Sequence, residues 1–341
     1  MGAVSGQGTT FNLLNYTGEL LQVTPQDTPF LSSISGLSAE SMIGANGAVP
    51  ESAVLFGWQT VDLRDATANN VATEGDTAPA GTARSRSQVT NVLEIHHEAL
   101  ELTYTQLASS AQRASTGSTH PGAVGITGPN AGDEVALQVR AHLAQIARDV
   151  EKSFISGTFV NPADLNTDRK TRGILEAITT NVVAAGLKDL AGTAGSQLLL
   201  DLLQMVWENG GIAETETAAL LCSGYTKRRL TERFITDGGY QQASRTVGGV
   251  KVDTIITDFG ELNVMLDRHM PSDQLAVVSL EQCRPHVLDV PEKGQGFFVE
   301  ELAITGSSRK WQIYGEIGLE YGNEKCHGKI TGLPTAAWMA S

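Results

Sequence analysis

At 341 residues the chain has room for two or three folding units and a sizeable buried core. Its 24 Lys and Arg against 38 Asp and Glu, a formal net charge of −14, argue against a dedicated nucleic-acid binder, because phosphate contacts need clustered cations. That charge suits a protein kept soluble at high concentration by mutual repulsion until it assembles. Cys222, Cys283 and Cys326 are far apart and form no CxxC, the pattern of reduced thiols in a cytosolic product. There is no apolar run of about 18 residues and no charged-then-apolar leader, so neither a membrane span nor standard secretion is expected.

Residues 1–50 read as an arm, rich in Gly, Ser and Thr with short apolar patches. Thr24-Pro25 and Thr28-Pro29 each place Pro at a first helical position after a capping Thr. The second starts a short helix carrying Phe30, Leu31 and Ile34, stopped by Gly36. One such helix makes no core alone and needs a groove, on its own body or on a neighbouring subunit. Residues 51–104 read as a long β-hairpin. Val54, Phe56 and Trp58 alternate with period two and the strand is expected to run on through Val61 and Leu63, the return beginning near Gln88. Leu93, Ile95, His97 and Ala99 share one face, but the apolar set then becomes Leu100, Leu102 and Tyr104, which predicts a bulge or a change of neighbour. The turn-rich stretch 69–87, holding Arg84 and Arg86, projects or binds something.

A short helix is expected near 106–113, then a loop, then the rod on which the chain is organised, 130–157. Val135, Val139, Leu143, Ile146, Val150 and Phe154 fall within an arc of about 100°. Gln138, Arg140, Gln145, Arg148, Asp149, Glu151 and Lys152 take the other side, with Leu137 and Ile155 making a lighter second contact. Asn130 as cap, Asp133 and Glu134 in the first turn and Gly157 at the far end bound a helix roughly 40 Å long. From 187 to 280 helix and strand alternate: helices at 196–208 and 226–234, strands at 218–222, 250–257, 262–267 and 275–279, and a loop at 237–249 that includes Tyr240. Strands at 287–290, 297–304, 310–321 and 328–331 are expected to return to the rod and complete the first unit's sheet, making the second unit an insertion.

Candidate chemistry is sparse. Glu94, His96 and Glu98 at i, i+2, i+4 line one strand face, either a metal-ligand ladder or a solvated face with a His between two carboxylates. No GxxxxGK[ST], GxSxG, HExxH or kinase set occurs, so no cofactor and no catalytic residue is assigned. Lys227-Arg228-Arg229 is followed by Glu232 on the same helix and reads as a solvated or subunit-facing surface. An arm, a projecting hairpin and a long rod without a catalytic constellation describe a building block.

Taken jointly, GELLQVTPQDTPFLSSISGL (18–37), FGWQTVDL (56–63), IARDVEKSFISGT (146–158), TRGILEAITTNVV (171–183), VGGVKVDTIITDFGELNVMLDRHMP (247–271) and YGEIGLEYGNEKCHGKITGL (314–333) resemble the major capsid proteins of tailed bacteriophages. The resemblance implies an α+β, Hong Kong 97-like capsid fold. Its parts would be an N-terminal arm (1–50), an extended β-hairpin loop (51–104), a peripheral domain with the spine helix (105–186 and 281–341) and an axial α/β domain (187–280). It further implies a non-enzymatic subunit forming hexameric and pentameric capsomers of an icosahedral head around double-stranded DNA, assembled in the host bacterial cytoplasm. Portal, separate scaffolding and decoration proteins are the other implied partners, with non-specific contact to packaged DNA and no membrane. Many relatives begin with a helical scaffolding segment, whereas here Met1 leads straight into the arm. Phe30, Leu31, Trp58, Arg84, Arg86 and Tyr240 are the candidate subunit-interface residues. A cellular nanocompartment shell of the same fold is the alternative, and a metal-dependent enzyme using Glu94, His96 and Glu98 the third reading.

Overall fold

A computed structural model of the chain describes residues 27–37, 41–43, 47–63, 66–109, 134–164, 166–212, 218–237 and 254–335. Helix α1 (Pro29–Ser35) turns Phe30 and Leu31 inward and ends at Gly36, whose φ of 68° is a left-handed conformation that glycine adopts without strain. Thr28 stands at the N-cap without donating or accepting a side-chain cap bond. The Glu151 side chain takes that role instead, from near the C-terminal end of the rod. The Thr24-Pro25 start lies outside the described residues.

After β1 (Val49–Glu51), β2 (Leu55–Thr60) and β3 (Ser87–Val92) pair as an antiparallel ribbon, Leu55 opposite Val92 and Thr60 opposite Ser87. The strand does not continue through Val61 and Leu63, which are exposed coil. The returning chain, Thr82-Ala83-Arg84-Ser85-Arg86, offers nothing apolar to cover them. Leu93 separates β3 from β4 (Glu94–Thr103), which leaves the ribbon and pairs with β13 (Ser308–Glu320) from Glu94 opposite Ile317 to Thr103 opposite Ser308. The change of neighbour therefore falls at Leu93, and no bulge interrupts β4. Its inward face runs Glu94, His96, Glu98, Leu100, Leu102 without a phase flip, while Ile95 and His97 are exposed.

Helix α2 (Tyr104–Ser109) starts earlier than expected, and its continuation to 113 lies outside the described residues. The rod is α3 (Glu134–Ser156), 23 residues long, and its expected start at 130–133 is likewise outside them. Leu143, Ile146, Val150 and Phe154 are buried, as are Ala147 and Ile155, with Val139 packed at the edge. Glu151, expected on the solvent side, is fully buried. Gly157, just past the rod's end, leaves no room for a side chain, since a Cβ there would lie 2.6 Å from the carbonyl oxygen of Thr171.

Then follow α4 (Ile174–Ala177), β5 (Val182–Ala184), α5 (Thr193–Glu208), β6 (Ala218–Cys222), α6 (Gly224–Asp237), β7 (Thr254–Thr257), β8 (Gly260–Leu266), β9 (Leu275–Ser279), β10 (Arg284–Val290), β11 (Gly294–Gln295), β12 (Phe298–Glu301) and, after β13, β14 (Gly328–Thr331). One sheet has the order β1-β10-β13-β12, with β4 also on β13 and β11 on β10. The second has the order β5-β14-β9-β6-β8-β7. β14 thus joins the second sheet rather than the rod's, with Ile330 opposite Leu275 and parallel to Val183 of β5. Asn181 directs this turn: its Nδ2 donates to the carbonyls of Lys325 and His327 at 2.7 and 2.8 Å.

The neighbouring strands β6 and β9 of the second sheet are buried on both faces, which is why AALLC and LAVVS read as unbroken apolar runs rather than alternating ones. Leu220, Cys222, Leu275 and Val277 pack with Leu199, Leu202, Leu203 and Val206 of α5. Leu221, Ala276 and Val278 belong instead to the core that holds the rod and α1.

Candidate functional site

The Glu94–His96–Glu98 face looks at the rod, not at solvent. Ser153 donates to Glu94 at 3.2 Å and the N–H of Thr171 donates to its other oxygen, also at 3.2 Å. Burial, partly offset by these bonds, raises the Glu94 carboxyl above its ordinary range. Glu98 pairs with His142 of the rod. Burial pushes His96 down to about 4, against the pull of Asp149. Glu94 and Glu98 turn to different partners on α3 and its following loop, and the buried Nε2 of His96 meets no hydrogen-bond partner among the described residues, so the three converge on no common point. Among the described residues no group of three or more His, Cys, Asp or Glu could hold a metal ion. Cys222 and Cys283 are buried thiols, pushed upward by desolvation and correspondingly inert.

Phe30 and Leu31, named from sequence as subunit anchors, are instead fully buried in their own chain. Helix α1 contacts α3, β8 and β10, so it sits where the rod meets a strand of each sheet. Each oxygen of Glu151 accepts one N–H of its first turn, from Phe30 and Leu31, both at 2.7 Å. Arg268, just after β8, reaches Asp27 ahead of the helix at 3.2 Å.

The root of the hairpin is tied with similar density. Trp58 is half-buried against its own chain, with Nε1 donating to Gly322 at 2.7 Å. Phe56 stacks on His286, ring centroids 4.5 Å apart, and a Cβ at Gly318 would lie 2.7 Å from the Phe56 ring. Asn91, fully buried, donates to the carbonyl of Leu319 at 2.7 Å and accepts the Arg172 N–H at 2.8 Å. Asp62 accepts from Lys325 Nζ at 2.6 Å and from Asn323 at 3.2 Å. These ties fix the direction in which the ribbon leaves the body. Beneath them lies a cleft of about 610 Å³ lined by Asp62, Arg172, Glu176, Tyr321 and Glu324.

Beyond the root the chain from 66 to 86 is exposed throughout, without helix or strand, and Val71 is 83% accessible. Arg86 bonds Gln59 of the same ribbon at 3.2 Å, and Arg84 is exposed. Tyr240 lies outside the described residues. Sequence reasoning passed over Glu151, Asp267, Asn91 and Asp62. Asn91 alone left a signal, an amide set inside an otherwise apolar strand end, where a buried polar side chain needs partners.

A family model described as SU10 major capsid protein matches residues 3–334. Among solved structures, the capsid of a native GTA particle superposes with a TM-score of 0.64 at 12% identity, covering 98% of this chain and 99% of that one. The capsid of cyanophage A-1(L) gives 0.62 at 9% identity, over 96% and 99%. An encapsulin complex from Synechococcus elongatus gives 0.53 at 12% identity, over 84% of each chain. At such identities the likeness shows the fold, the Hong Kong 97-like fold expected from the sequence. No curated protein sequence matches the chain.

Proposed function

The chain belongs to the SU10 major capsid protein family, and from that premise we infer that it is the head-shell subunit of a tailed bacteriophage, closing an icosahedral capsid around double-stranded DNA. The observation that carries this is the family match across residues 3–334, nearly the whole chain. The geometry agrees with a part whose work is done by surfaces: a packed body, and a tethered ribbon whose outer 66–86 segment is exposed throughout.

The rod with the β4–β13 sheet serves as the peripheral domain. The second sheet with α5 and α6 serves as the axial domain around which hexameric and pentameric capsomers form, and β5 and β14 go with it. The ribbon reaches over a neighbouring copy, where Arg84 and Arg86 meet acidic side chains; Tyr240 is a further interface candidate. Contact with DNA is sequence-independent, since an acidic chain builds no base-reading surface. Assembly takes place in the host cytoplasm, with portal and separate scaffolding or decoration proteins as partners.

Negative-stain microscopy of the expressed protein tests this: closed particles of uniform size are expected, and only unassembled subunits at high concentration would count against it. The encapsulin likeness supports a second reading, a nanocompartment shell, with the lower coverage of 84%. Particles holding a co-purifying protein and no DNA would favour it.

A further inference from the structure

Two carboxyl groups meet in the core where the arm helix, the rod and the second sheet come together. Glu151 is fully buried and accepts two N–H groups of α1, and the side chain of Asp267 lies beside its carboxyl group. Asp267 is fully buried as well, one residue past β8. Its N–H donates to the carbonyl of Cys222 at 3.0 Å, and its Oδ1 accepts the N–H of His269 at 2.7 Å. Its Oδ2 is buried and meets no other donor among the described residues. Two carboxyl groups hydrogen-bond to each other only through a proton. A proton on Glu151 gives Asp267 Oδ2 the donor it otherwise lacks.

The charged groups nearby leave the pair to itself. Arg268 turns outward to Asp27, both more than half exposed. Lys227 of α6 and Asp267 act in opposite senses on the buried Cys222 thiol. On the other elements packed against α1 and α3, Glu281 is exposed and His286 lies between Glu51 and Glu320. Glu94 is held by Ser153 and Thr171, Glu98 by His142, and Glu176 by the N–H of Phe159.

We propose that Glu151 and Asp267 share one proton, and that the protonated pair is a pH-sensitive latch seating the arm helix against the rod and the second sheet. When α1 lifts, water reaches both carboxyls, the shared proton leaves to solvent and both ionise. Each opening releases one proton. Burial first, then Asp267, holds the seated Glu151 above its ordinary 4.5, so the seat is firmest below that pH. It weakens as pH rises above that value, for as long as the seated pair keeps its proton. One proton per opening makes the open arm about tenfold more populated per pH unit across that window. The latch belongs to the single subunit and does not depend on the shell reading.

Limited digestion of the full-length chain by subtilisin between pH 6 and 9 tests it. Cleavage within 30–35 is read by mass and normalised to cleavage in the exposed 69–85 segment. In the limit where opening is fast, cleavage follows the open population, and the normalised rate is expected to climb about tenfold per pH unit. Asp267→Asn replaces the shared proton by a permanent N–H donor to an ionised Glu151, so its profile is expected to be flat. A flat parent profile, or an equal slope in Asp267→Asn, overturns the latch. An Asp267→Asn chain too unstable to assay overturns it too, since the amide is expected to satisfy both neighbours.

Discussion

Trp58 stands edge-on to Tyr321, ring centroids 4.9 Å apart and planes at 90°, so the projecting ribbon is bolted to the end of β13 by an aromatic contact as well as by the Nε1 bond to Gly322. This pair decides whether the ribbon leaves at a fixed angle or swings. Trp58→Ala removes the ring and leaves the Gly322 carbonyl to water. It is expected to cost the subunit about 2 kcal/mol, below the figure for a fully buried Trp because this one is only half covered. Chemical denaturation checks the cost. Particle yield should fall further than stability does, because a swinging ribbon must be ordered again at each contact.

Neighbouring positions on the rod predict opposite outcomes. Val150 is fully buried and Lys152 is exposed. Val150→Asp places an unpaired carboxylate in the core and is expected to cost about 4 kcal/mol, enough to prevent folding of a marginally stable body. Lys152→Asp is expected to stay within about 0.5 kcal/mol of the parent. Thermal melts of the two variants check this, and equal melts would show that the rod is rotated from the orientation described.

Acid should loosen the subunit through His96. Burial holds it down to about 4, against 6.5 when unfolded. A depressed folded value means the contribution is complete above pH 6.5 and is lost as pH falls through 4. The shift corresponds to about 3 kcal/mol. Glu151, held high, acts in the opposite sense, so the parent alone gives a mixed profile. The difference between the parent and His96→Leu isolates the term. Urea midpoints at pH 7 and pH 4.5 should fall more for the parent than for the variant.

What the sequence made legible was whatever depends on period and punctuation. The short helix from Pro29 to Gly36, strands β6 and β9 and the long rod follow from apolar spacing, Pro and Gly. What it hid was long-range polar pairing. Glu151 and Lys152 are adjacent charged residues, and only Phe30 and Leu31, some 120 positions away, distinguish them. The Glu94–His96–Glu98 face looked solvated because Ser153 and His142, which bond Glu94 and Glu98, are on the rod and turn polar groups toward β4. Phe30 and Leu31 looked like surface anchors for the same reason: a helix in a Gly-rich arm carries no sign of which groove it fills.

The outer hairpin gives the sharpest separation of folding from assembly. Residues 69–84 are exposed, and none of the ties at the root involves them. Replacing 69–84 by a short Gly-Ser turn keeps Arg86 on Gln59 and the whole β2–β3 register. Closing a shorter loop also lowers the entropy of the unfolded chain slightly, so the deleted subunit should melt cooperatively within a few degrees of the parent. In the shell proposed above, however, this segment would be the part that reaches a neighbouring copy. The deleted chain is therefore expected to remain as subunits or loose capsomers by light scattering, under conditions where the parent closes. Arg84→Ala with Arg86→Ala should weaken assembly less severely, and added salt should inhibit that variant less than the parent, because the charge pairs that salt screens are already gone. Closed particles of normal size from the deleted chain would show that the ribbon does not tie subunits together. A deleted chain that fails to fold would show instead that the tip packs on its own body.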